Sequence, residues 1–216
     1  MPRGVLLVLG VTLAAQIGLQ ATRHAGPRMA GDLPPAPGPQ ALRLTSFGEP
    51  EAAARLTMLY LQSFEFPRVD LARSLGWLES ALRLDPRGQY PLFLAARVYA
   101  ESGDPTRNRE VLEFVYREFL KDPDRRWPWL AHAALLAKHR LKDLALARQY
   151  AHAVEEKTRA RDVPLWARQM EIFILEDMNE LEAAKIMIGG LLQSGTLTDP
   201  AEVRFLRERL DELERK

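Results

Sequence analysis

The chain has 216 residues, with 30 Lys or Arg against 29 Asp or Glu and a net charge of +1. The first forty residues hold three bases and one acid, which leaves 27 bases against 28 acids; that is no basic excess of the kind nucleic-acid binders use to displace counterions from phosphates. There is no cysteine, so disulfides, thiolate zinc sites, cysteine nucleophiles and acylation at cysteine are excluded. The length suits one ordinary domain or a short array of repeats. Arginine greatly outnumbers lysine, and alanine and leucine are abundant, which points to a GC-rich bacterial genome.

The chain opens with Arg3 and an uncharged apolar run over residues 5–22, VLLVLGVTLAAQIGLQAT. Such a run is a secretory signal or a signal anchor. Its apolar length is near the minimum of about 17 residues for a spanning helix, and Thr12, Gln16 and Gln20 dilute it. Leu19 spoils a small-x-small cleavage site before Ala21, and Arg23 follows at once. The reading favours an uncleaved single-pass anchor over 1–24, with cleavage and release as the alternative. Bases on both sides barely fix the orientation, and export of the C-terminal part is the default. Residues 25–48 follow with Pro34, Pro35, Pro37 and Pro39 close together. Prolines favour extended polyproline II, so this segment is expected to be a semi-rigid spacer.

From residue 49 to 216 the pattern is helical, with no strand alternation. Pro50, Pro91, Pro128, Pro164 and Pro200 stand 41, 37, 36 and 36 residues apart, each before an apolar or alanine-rich run. Proline suits the first turn of a helix, so Tyr90-Pro91, Trp127-Pro128-Trp129 and Val163-Pro164 are predicted helix starts. Lys142-Asp143-Leu144 matches Asn179-Glu180-Leu181 at a shift of 37, as turns opening the second helix of a pair. Leu82 to Pro86 and Phe119 to Pro123 match at the same shift and close a pair. The fold class is therefore all-α: hairpins over roughly 50–86, 87–123, 124–161 and 162–195, closed by a charge-rich helix from Asp199 to Lys216. Val203, Leu206, Leu210 and Leu213 give that last helix its apolar side, and they span too few heptads to argue strongly for a coiled coil.

At Ala96-x-x-Tyr99-x-x-x-Gly103-Asp104 and Ser74-x-x-x-Leu78-x-x-Ala81-x-x-x-x-Pro86 the chain resembles the tetratricopeptide repeat (TPR) family, over about residues 50–195. The units are longer than that family's 34 residues, and Lys142 or Asn179 replaces its turn glycine. The resemblance implies a right-handed stack whose first helices line a groove for a peptide or helix of another protein. It makes Arg97, His132, His139 and Arg168, polar and off the packing stripe, candidates for that groove.

No catalytic or cofactor motif stands out. His132 and His139 lie two turns apart on one helix, about 10 Å along its axis, too far to chelate one metal comfortably. The pairs Glu155-Glu156 and Glu176-Asp177 lack a pocket that would mark acid-base chemistry. Gly189-Gly190 costs about 1 kcal/mol of helix propensity per glycine, which close approach of a neighbouring helix would explain. Trp77, Tyr99, Tyr116, Phe119, Trp166 and Phe173 are expected in the core. The expected function is a non-enzymatic, membrane-tethered scaffold of the bacterial inner membrane. Its repeat domain is periplasmic, and it uses no cofactor and no metal. The alternatives are an exported all-α enzyme or small-ligand protein with a pocket near the histidines and Trp129, and a self-assembling subunit.

Overall fold

A computed structural model of the chain describes residues 10–16, 33–44, 46, 48–64, 69–160, 162–195, 197 and 199–215. Among these residues the regular structure is helical and contains no strand. The helices are α1 (Pro39–Leu44), α2 (Pro50–Gln62), α3 (Leu71–Leu84), α4 (Tyr90–Arg97), α5 (Pro105–Phe119), α6 (Pro123–His139), α7 (Leu144–Lys157), α8 (Leu165–Arg168), α9 (Met170–Asp177), α10 (Leu181–Gln193) and α11 (Pro200–Glu214). A single 3-10 turn, Tyr99–Glu101, extends α4. No helix among the described residues is long and apolar enough to cross a membrane. The anchor expected over 1–24 lies mostly outside the described residues; 10–16 within it are helical and exposed.

The sequence dictates the helix ends. Pro50, Pro105, Pro123 and Pro200 each open a helix, where the missing amide has no intrahelical partner to lose. Asp70, Asp104, Asp143 and Asp199 cap α3, α5, α7 and α11 by accepting backbone N–H bonds from the first turn. One expected start differs: α6 begins at Pro123, so Pro128 lies inside it rather than at its head. Pro128 sits at the sixth helical position, where it forgoes a bond to the Asp124 carbonyl and the helix continues past it.

Each helix packs on its chain neighbour, and α3 also meets α5, α4 meets α6, and α7 meets α9. The pairs α2/α3, α4/α5, α6/α7 and α8–α9/α10 follow in order, and α11 closes on α10. One apolar cluster runs from Leu33 to Ile174, and a smaller one from Ile172 to Leu213 joins α9, α10 and α11. Leu206 and Leu213 of α11 are buried there, and Arg209 clamps Glu176 of α9.

The proline-rich segment is not a free spacer from residue 33 onward. Leu33 is fully buried, its carbonyl accepts from Arg73 Nη1 at 2.9 Å, and the Pro34 carbonyl accepts from Trp77 Nε1 at 2.8 Å. An extended chain without internal hydrogen bonds leaves its carbonyls available, and α3 uses them.

Three turns inside the pairs share one backbone feature. Gly103, Lys142 and Asn179 have φ of 85°, 55° and 61°, the left-handed region, directly before the cap residues Asp104, Asp143 and Glu180. At Lys142 the geometry lets Asp143 N–H reach the Ala137 carbonyl at 2.9 Å and finish α6. A side chain with a Cβ pays for that conformation with about 1–2 kcal/mol, partly offset by the extra chain entropy that glycine loses on folding. Lys142→Gly is therefore expected to raise the unfolding free energy by roughly 0.5–1 kcal/mol, and Lys142→Val to lower it by about 1 kcal/mol, measured by urea unfolding. Equal midpoints for the three proteins would contradict the assignment.

Candidate functional site

An apolar cavity opens where α2, the end of α3 and the start of α4 converge. Its volume is about 390 Å³, and it is lined by Met58 and Leu59 of α2, Ala81 of α3, and Gln89, Tyr90 and Pro91 at the head of α4. The turn beneath it is fixed by Asp85, whose side chain accepts from Arg87 N–H at 3.1 Å. Its backbone carbonyl accepts from Gly88 N–H at 3.1 Å. A Cβ on Gly88 would come within 2.9 Å of the Asp85 carboxylate, so the turn needs glycine for space.

From the cavity an aromatic ledge crosses to α6. Tyr90, 44% exposed, stacks on Phe93, 39% exposed, with ring centroids 5.9 Å apart. Phe93 meets Trp129 edge to face at 5.9 Å, and Trp129 Nε1 donates to Gln89 Oε1 at 2.6 Å. Tyr90 and Phe93 share a face because they are three apart on α4. Farther along, Trp127 meets Trp166 at 5.7 Å. Trp166 was expected in the core and is instead 53% exposed, on the short helix α8. Trp77, Tyr99 and Phe119 are buried as expected, while Tyr116 and Phe173 are half-buried.

The four polar candidates are placed differently from one another. Arg97 ends α4, exposed, and its charge acts on His132 of α6. His132 is half-buried, its Nε2 is enclosed without a hydrogen-bond partner among the described residues, and burial first and Arg97 second push its pKa below the ordinary value. Glu101 opposes that shift. His139 is exposed at the C-terminal end of α6. Arg168 braces a loop, because its Nη2 donates to the Ala160 carbonyl at 2.7 Å, and Ala160 N–H donates to Asp124 at 2.8 Å. The structure thus brings Arg97 and His132 together and leaves His139 and Arg168 apart from them.

Among the described residues nothing lies within 4 Å of where a Cβ on Gly189 or Gly190 would stand, so the close helix approach expected there is not seen among them. His152 carries no motif of its own in the sequence. Among the described residues one group could ligate a metal: His152 and Glu155 of α7 with Glu171 of α9, their donor atoms all within 4.8 Å of one another. Its local signal was the spacing His152-x-x-Glu155, but Glu171 joins only through the packing of α9 on α7.

Comparison of the chain with protein-family models, curated proteins and solved structures finds no match.

The depressed pKa of His132 fixes a sign. The unfolded state binds more protons between the lowered folded value and the ordinary 6.5, so His132 lowers stability as pH falls through that window. Thermal unfolding of the chain and of His132→Gln between pH 7.5 and 5 should show the variant losing less Tm on acidification. Parallel profiles would contradict it.

Proposed function

We propose that the chain is a non-enzymatic, membrane-tethered scaffold whose TPR-like helical pairs bind another protein along the face of their first helices. The observation that carries this reading is the cavity beside Leu59 and Tyr90 and the exposed ledge Tyr90–Phe93–Trp129 that continues from it. Exposed aromatic side chains beside an apolar cavity are the usual anchors of protein interfaces, since Tyr and Trp bury large area at small entropic cost. The ordered succession of helical pairs and the shared left-handed turns at Gly103, Lys142 and Asn179 support the repeat reading. The apolar run over residues 5–22 supports a bacterial inner-membrane anchor with the helical pairs on the periplasmic side. Arg97, exposed at the end of α4 beside the ledge, would add a charged contact at its rim.

A photo-crosslinking amino acid placed at Leu59 of the full chain in living cells tests the face, with Glu113 on the outer side of α5 as control. One dominant protein should be captured from position 59 and not from position 113. Tyr90→Ala and Phe93→Ala, both exposed, should each weaken that capture by roughly tenfold or more while the helical circular dichroism stays unchanged. Capture that is equal from both positions, or untouched by both substitutions, would overturn the assignment.

A further inference from the structure

We propose that His152, Glu155 and Glu171 hold a divalent cation, zinc by their donor chemistry, in the seam between α7 and α9. His152 and Glu155 stand three apart and share one face of α7. Glu171, the second residue of α9, points at that face with its side chain only 3% exposed. The three donors lie within 4.8 Å of one another.

The plainer account is a network of ion pairs, and it covers part of the cluster. Arg148 Nε donates to Glu171 Oε1 at 3.0 Å, and His152 Nδ1 lies 2.8 Å from Glu171 Oε2. It reaches Glu155 only through the nearby charges of His152 and Arg168. No donor among the described residues hydrogen-bonds that half-buried carboxylate. The fold thus sets the Glu155 carboxylate beside the buried Glu171 carboxylate, with donor atoms of the cluster within 4.8 Å of one another. A cation between the two relieves their repulsion.

One imidazole and two carboxylate oxygens form a donor set that suits zinc, with a fourth position left to water on the exposed His152 side. Ligands of a tetrahedral zinc stand roughly 3.3 to 3.5 Å apart at ordinary bond lengths. The His152–Glu171 contact must therefore open by about half an ångström, which rotation of the exposed imidazole allows. Arg148, bound to Oε1, leaves Oε2 for the metal and fixes the carboxylate's orientation, the usual role of an outer partner.

Chelator-treated full-length chain is titrated with Zn²⁺ by calorimetry and with Co²⁺ by visible absorption. One ion per chain should bind, Co²⁺ with the intense bands of a four-coordinate site, and Zn²⁺ should raise Tm. His152→Ala and Glu155→Gln should each weaken binding roughly tenfold or more and abolish the Tm gain. Glu208→Gln, exposed on α11 away from the proposed ligands, should leave binding unchanged. Glu155→Gln is also expected to raise the Tm of the metal-free protein, which shows that the variant folds. Absence of saturable binding, or binding unaffected by both ligand substitutions and hence adventitious, would overturn the site.

Discussion

The buried guanidinium of Arg126 ties three turns of the chain together. From the first turn of α6, Nη1 donates to the Glu118 backbone carbonyl at 2.7 Å and to its Oε2 at 2.9 Å, while Nη2 donates to the Pro86 carbonyl at 3.2 Å. Lys121 holds the other Glu118 oxygen. Both side chains of the central pair are only 4% exposed. A buried pair of this kind adds little net stability over an apolar replacement, but removal of one partner strands a charge at a cost of about 3–5 kcal/mol. Its effect is positional, since its bonds hold the end of α3, the end of α5 and the start of α6 together.

The same device recurs at other junctions. Arg107 reaches the Val69 carbonyl, Arg73 that of Leu33, Trp77 that of Pro34, and Trp129 the Gln89 side chain. Each link spans about forty residues, close to one helical pair, so each of the first three pairs is fastened to what precedes it. Arg73 and Arg107 occupy the same third position of α3 and α5, which makes Leu33 the counterpart of Val69. The proline-rich segment therefore serves as the preceding member of the series and covers the first face, as α11 covers the last. The fastening of α4 to α6 through Gln89 and Trp129 keeps the aromatic ledge at the head of α4 in place.

Much of the fold was legible because it is written locally. Pro50 and Pro200 start helices by backbone chemistry alone, and the 37-residue shift relating Lys142 to Asn179 marked turns that prove to share a left-handed residue. What was not legible depends on distant packing. Pro128 looks like a helix start until Pro123 and Asp122 are seen to begin α6 one turn and a half earlier. Leu33 and Pro34 look like spacer because the side chains that hold them, Arg73 and Trp77, lie about forty residues away. Trp166 follows the helical spacing of a core residue, but α8 is a single turn and the ring stands half exposed. Glu171 lies 19 residues from His152, a distance at which no sequence pattern pairs a carboxylate with an imidazole.

The coupling of successive pairs through buried reach-back contacts is tested most directly by hydrogen-deuterium exchange on the full chain and on Arg126→Met. Deprotection is predicted in the first turn of α6, at the end of α5 and around Pro86 together, while residues 165–214 keep their protection. Deprotection confined to the first turn of α6, with the Pro86 turn and α5 unchanged, would contradict the account.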